Sequence, residues 1–286
     1  MKITDKLNEV EEGVSFEFFP PQTEKGKILL KETIDILKHY DPLYLSMTYG
    51  AGGRTQARTK AAVELLMERK ELIVMPHLTC IGAAKDNIRE LLAGYKAQGI
   101  ENIMALRGDP PQDTVDFEIK NSDFKFAADL VSVIKAQGNF CIGVAVYPEG
   151  HIETASLAED LEYAKIKIDA GADFAVTQMF FDNRYFYELI ERMQKKGLNL
   201  PVLPGILPLT DVAKVKQFAA LCRTTIPRDI ESAMERFRDN LEDMEKLGIE
   251  YTINQCLELK KKGFKKIHFF TLNKPNVITR ILEGIK

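Results

Sequence analysis

The hydrophobic positions of the chain fall into a repeated two-part pattern. A charged stretch with helical spacing ends in glycine, and a short apolar run follows. Examples are KAQGIENIMALRGD (96–109), KAQGNFCIGVAVYPE (135–149), DAGADFAVTQMFF (169–181), KKGLNLPVLPGIL (195–207) and KKGFKKIHFFTLN (261–273). Glycine suits the residue just past a helix, where a left-handed backbone penalises a Cβ. The apolar runs lack strict alternation, as expected of parallel strands buried on both faces. Eight such strands are predicted near 14–19, 43–48, 72–78, 102–107, 140–147, 173–179, 201–206 and 265–271. Amphipathic helices are predicted at 24–39, 55–70, 85–98, 123–137, 157–170, 183–196, 210–221 and 275–285. Eight consecutive β-then-α units predict an α/β fold, a single (β/α)8 TIM barrel over residues 1–286. A helical insertion is expected near 227–247, starting at IPRDIESAMERF, with the crossover resuming near 248. An open doubly wound sheet is the competing architecture. The turn after the first strand, FFPPQTEKG, has two prolines where that fold carries its glycine-rich phosphate loop, and there is no Rossmann GxGxxG motif.

Composition narrows the function classes. With 45% hydrophobic and 28% charged residues the chain has the make-up of a globular protein able to bury its own core. A formal charge of −3 argues against general nucleic-acid binding but leaves room for a local basic pocket. The polar start MKITDKLNEVEEG has no signal-peptide core, and no run approaches a membrane span of about 20 apolar residues. Disorder is expected only within the first dozen residues. Cys80, Cys141, Cys222 and Cys256 lie far apart, so neither a metal cluster nor a disulfide framework is expected, and a cytoplasmic location is the natural setting.

A barrel of this kind places its active site at the C-terminal ends of the strands. The polar residues there are Glu17, Ser46, Thr48 and Tyr49 before the turn GAGGRT, His77, Thr79, Arg107, Asp109, Tyr147, Glu149, His151, Thr177, Gln178 and Asp182. Each has a plain structural reading beside a functional one. Glu17, among Phe16, Phe18 and Phe19, is either half of an ion pair or an acid whose pKa is raised by apolar surroundings. Asp109 could cap a turn before Pro110, His77 could be a core histidine, Gln178 could bond backbone and Tyr147 could simply pack. Taken together, polar groups converge on one rim among aromatics. HxH and HExxH spacings are missing and no lysine sits centrally in a strand, which disfavours a metal-dependent hydrolase or a Schiff-base aldolase. What is left is a carboxylic acid, amides and hydroxyls around a large planar ligand.

At these motifs the chain resembles the methylenetetrahydrofolate reductase family. The strings are SFEFFPP (15–21), SMTYGAGG (46–53), PHLTC (76–80), ALRGDPP (105–111), AVYPEGH (145–151), AGADFAVTQMFFD (170–182), PGILP (204–208) and HFFTLN (268–273), in family order along nearly the whole chain. The length resembles the compact bacterial form, a catalytic barrel alone.

The resemblance implies FAD as cofactor, 5,10-methylenetetrahydrofolate and NAD(P)H as ligands, and a homo-oligomer. It also implies ping-pong hydride transfer, from nicotinamide to flavin and then to the folate methylene carbon. By the same resemblance Glu17 is the acid that opens the folate imidazolidine ring and Asp109 sits near flavin and pterin. Gln178, Phe218 and Lys274 bind substrate. Thr48, His77, Leu106, Arg107, Gly108, Asp109, Phe126, Ala145, Tyr147, His151, Asp160 and Lys167 line FAD. The i, i+3, i+7 spacing of Asp160, Tyr163 and Lys167 independently puts them on one helix face, where a lysine can meet a phosphate. Phe126 and Phe270 stand where relatives often have tyrosine, Lys274 where they have arginine, and Tyr163 and Ile166 where some have polar residues. These departures leave open whether the donor is a nicotinamide or an electron-transfer partner subunit.

Overall fold

The computed structural model describes residues 1–49, 56–109 and 122–286. Within them the strands are β1 (Gly13–Phe18), β2 (Leu45–Met47), β3 (Val74–Thr79), β4 (Asn102–Leu106), β5 (Cys141–Val146), β6 (Phe174–Thr177), β7 (Val202–Leu203), β8 (Gly205–Ile206) and β9 (Lys266–Phe270). The α-helices are α1 (Ile3–Glu9), α2 (Glu24–Leu37), α3 (Gln56–Met67), α4 (Lys85–Ala97), α5 (Ala127–Gln137), α6 (Leu157–Asp169), α7 (Asn183–Lys195), α8 (Val212–Cys222), α9 (Arg228–Arg236), α10 (Leu241–Lys261) and α11 (Pro275–Gly284). Every strand pairing is parallel, in the order β7-β6-β5-β4-β3-β2-β1-β9-β8. The (β/α)8 barrel is therefore the observed fold. The predicted turn GAGGRT and Pro110 lie outside the described residues.

Three expectations need correction. The single strand predicted at 201–206 is two short strands, because Pro204 has no N–H to continue a ladder. Its first half pairs with β6 and its second with β9, so this passage joins the two ends of the sheet. Gly205 is required at the seam, since a Cβ there would lie 2.3 Å from the Thr177 carbonyl oxygen. The first dozen residues are not all disordered: α1 forms, with Ile3 and Leu7 buried. Helix α9 lies where IPRDIESAMERF predicted one, but α10 already begins at Leu241, so the expected resumption near 248 falls inside it.

Both faces of the strands are buried, which is why their runs read as nearly continuous apolar stretches. Outward residues such as Phe16, Phe18, Val144 and Phe269 pack with Leu30, Leu66, Val131 and Ile278 of the surrounding helices. Inward residues form a second core at the N-terminal end of the barrel. There Tyr44, Met75, Met104, Phe174 and Leu203 meet Ile3 and Leu7 of α1. Asn102 fastens the plug, its Oδ1 accepting from Ile3 N at 2.8 Å. Each large apolar side chain buried there contributes about 1.5–3 kcal/mol.

Candidate active site

The inward positions change character near the C-terminal ends of the strands. Alternation along β1 sends Phe16 and Phe18 outward and turns Ser15 and Glu17 into the barrel. Glu17 lies in register between Ser46 of β2 and Phe270 of β9. Its Oε2 is 3.3 Å from His77 Nε2 and 3.5 Å from His268 Nε2. All three residues are buried, with exposures of 7%, 6% and 0%. His268 Nδ1 lies 2.8 Å from Ser15 Oγ and 3.2 Å from the Tyr44 hydroxyl, and its ring stacks on Tyr44.

Of the two readings of Glu17, this arrangement favours the ion-paired one over the raised pKa. Burial does push its pKa up, but His77 and the hydrogen-bonded His268 outweigh burial and hold the carboxyl below its usual value. The phenylalanines adjacent in sequence face the helices, so the apolar neighbourhood inferred from the string belongs to the other side of the strand. His77 is itself pushed down, chiefly by burial and against the pull of Glu17. Two buried polar atoms beside the carboxylate, His77 Nε2 and Ser46 Oγ, have no hydrogen-bond partner. The His77 contact is close but off the line of a hydrogen bond.

A cleft opens at the same end of the barrel, between the ends of β4 and β5 and the helices α5 and α6. Leu106, Arg107, Phe126, Ala145, Tyr147, His151, Asp160 and Lys167 all line it, with Tyr163 and Ile166. Asp160, Tyr163 and Lys167 thus share the cleft face of α6. Asp160 is buried, and burial raises its pKa against the His151 N–H that it accepts at 3.1 Å and the nearby Lys167. Burial pushes Lys167 down to about 8, partly offset by Asp160. The ammonium donates to the Ala145 carbonyl at 2.6 Å and sits 5.5 Å from the centre of the Tyr147 ring. Arg107 is held by both carboxylate oxygens of Glu153, which raises its pKa. Phe126 and Tyr163 form a ring pair 5.3 Å apart at the mouth.

The other predicted residues are distributed around the rim. His77 belongs to the central cluster and not to the cleft lining. Thr48 ends the β2 passage, its N–H donating to Phe18 O. Gly108 follows β4 at φ +83°, close against Thr79, and Asp109 beyond it is exposed. Gln178 accepts from Met179 N through its own side chain, which is the plain backbone-bonding reading. Phe218 of α8 packs on the cluster of Met179, Phe181, Leu207 and Met244. Lys274 donates to Thr210 Oγ1 at 3.4 Å.

His268, Ser15, Tyr44 and Glu153 were missed by sequence reasoning. For His268 a signal existed: Phe269 reads as an outward residue, so positions 268 and 270 face inward. No signal in the sequence links Glu153 to Arg107. Among the described residues no three His, Cys, Asp or Glu side chains form a metal-binding group, and no helix is long and apolar enough to cross a membrane.

Comparison with known proteins accords with this architecture. The chain is similar to a solved Clostridium thermocellum structure, at 17% identity and a TM-score of 0.66, covering 99% of this chain and 96% of that one. That likeness speaks to the fold. The 5,10-methylenetetrahydrofolate reductase of Pectobacterium carotovorum subsp. carotovorum is 37% identical over 92% of this chain and 86% of its own length. Methylenetetrahydrofolate reductase (NADH) 1 of Arabidopsis thaliana is also 37% identical, over 96% of this chain. The chain spans about half of that plant protein, 49%. The profile of the family described as methylenetetrahydrofolate reductase matches residues 2–286, and the chain belongs to that family of oxidoreductases.

Proposed function

We propose that this protein reduces 5,10-methylenetetrahydrofolate to 5-methyltetrahydrofolate, with FAD as cofactor and NADH or NADPH as donor. The observation that carries the reading is the juxtaposition at one barrel end: a buried carboxylate between two imidazoles, and a cleft lined by the cations Arg107 and Lys167 with aromatic rings at its mouth. The similar Clostridium structure is described as binding two copies of 5-methyl-5,6,7,8-tetrahydrofolic acid, in keeping with a folate as ligand of this fold.

The cleft residues suit FAD. Arg107 and Lys167 supply positive charge for a pyrophosphate, and Phe126 with Tyr163 offers an apolar face for a planar ring. When bound, FAD supplies the two-electron carrier that links donor and folate. Lys167 would exchange the Ala145 carbonyl for phosphate oxygens, and Arg107 would share its donors between Glu153 and the cofactor.

Glu17 would deliver the proton that opens the folate ring. It starts ionised, with its charge shared by two imidazoles. A pterin laid over the cluster removes the remaining water and strengthens the burial that already opposes the charge, so the acid form gains as substrate docks. Gln178 and Phe218 would orient the pterin from the β6 and α8 side, with Lys274 beyond β9. Asp109 would stand near the reacting rings from the β4 loop.

The test is spectroscopic. Purified protein should carry or take up FAD, lose its yellow colour anaerobically with NADH or NADPH, and regain it with methylenetetrahydrofolate. A chain that takes up no FAD overturns the proposal. Bleaching by dithionite but by neither nicotinamide assigns the donor role to a partner protein.

A further inference from the structure

The central cluster has an asymmetry that the proposed reaction does not by itself explain. Both imidazoles approach the same carboxylate oxygen, Oε2 of Glu17. Among the described residues no side chain or backbone donor reaches Oε1. His268 is itself fixed from behind, because Ser15 Oγ and the Tyr44 hydroxyl both lie within hydrogen-bond distance of its Nδ1. Two hydroxyls facing Nδ1 favour a ring that accepts there, and a neutral imidazole that accepts at Nδ1 carries its proton on Nε2, toward Glu17. Stacking on Tyr44 and contact with the Phe270 edge leave the ring little freedom to turn.

We propose that His268 is a positioning residue for Glu17: held through Nδ1 by Ser15 and Tyr44, it fastens Oε2 of the carboxylate and leaves Oε1 as the oxygen that exchanges a proton with the substrate. The proposal rests on the reading of Glu17 as the acid. The groups that face the carboxylate are His77 from β3, Ser46 from β2 and His268 from β9, with Tyr44 behind His268. Of these His77 makes no hydrogen bond to Glu17. His77 acts on the carboxylate through charge alone, and His268 adds the directional contact, so the two together hold the carboxylate in its ionised form.

The experiment titrates Glu17 directly in the purified protein by carboxyl carbon-13 NMR, with Glu17→Gln identifying the resonance. His268→Asn keeps a polar atom toward Ser15 but withdraws the one facing Glu17. The Glu17 midpoint should rise by roughly one pH unit. His268→Gln can place its amide nitrogen back against Oε2 and should restore part of the shift. Ser15→Ala leaves His268 present but loosens it and should move the midpoint in the same direction by less, so it carries the test if His268→Asn does not fold. A midpoint unchanged in both folded variants overturns the proposal. In single-turnover assays with methylenetetrahydrofolate, the alkaline fall in rate should follow the midpoint upward, while the donor half-reaction keeps its pH profile. A midpoint that moves while the folate step keeps its profile upholds the role of His268 and overturns the acid role of Glu17 instead.

Discussion

The two ends of the barrel interior are built from the same strands, often from residues two positions apart, yet they do opposite things. Met75 faces the apolar plug at the N-terminal end, and His77, next inward on β3, faces Glu17. Tyr44 belongs to both, with its ring against Phe174 and its hydroxyl on His268. At the plugged end α1 seals off water, and every inward side chain gains by burial. At the open end burial works against the charges of Glu17 and Lys167 and leaves His77 Nε2 and Ser46 Oγ unpartnered. The plugged end therefore stabilises the fold, and the open end keeps groups in states that a ligand can complete.

The comparison breaks if changes at the two ends have the same consequences. The largest expected effect is at the open end. Glu17→Gln should lower the folate half-reaction about 10²–10⁴-fold with little change in Tm, as read by anaerobic stopped-flow and thermal melts. Wild-type folate turnover in that variant would remove Glu17 as the acid. Next is Ile3→Ala at the plugged end. It should cost about 2–5 kcal/mol in denaturant unfolding while leaving the pH profile of the surviving enzyme alone. An altered profile would show that the two ends are coupled. Gly205→Ala, which forces a Cβ against the Thr177 carbonyl, should cost roughly 1–3 kcal/mol by straining the seam. A neutral result would mean that the passage at Pro204 shifts without cost.

The smallest effect is a pH dependence. Lys167 has a folded pKa of about 8, below its unfolded value near 10.4. The unfolded chain therefore binds more protons between these values, and the stability of the ligand-free protein should rise with pH across that window. An anion in the cleft raises the folded value, so FAD binding near pH 8 should take up protons, and its heat should differ between buffers of different ionisation enthalpy. Buffer-independent heats would take Lys167 away from the phosphate.

Much of the fold was legible because a strand buried on both faces and a glycine-ended helix leave local signatures. The same local signals predicted α9 and the shared face of Asp160, Tyr163 and Lys167. The divided strand was harder to foresee, since Pro204 sits in an apolar run and only the tertiary pairing shows that its halves serve different neighbours. Helix α1 was hidden because two apolar residues in a polar segment gain their value from a barrel mouth far away in sequence. The choice between the two readings of Glu17 was not legible for a related reason. Phe16 and Phe18 are its neighbours along the chain but occupy the opposite face, whereas His77 and His268 reach it from other strands. His268 could have been found by extending the alternation through HFFTLN. Glu153, which holds Arg107 across a loop, could not.

The contact between Ser15 and His268 joins residues 253 positions apart. Until β9 docks, β1 has an unpaired edge and the sheet remains open. Closing such a ring is a late and slow event in folding, since a long loop must be ordered before its contacts reward it. The hydrogen bonds that fix the proposed acid form only with that pairing. A chain folded everywhere except at its seam would retain most of its secondary structure and yet hold Glu17 without its anchor, so recovery of the folate step should lag behind recovery of helicity during refolding.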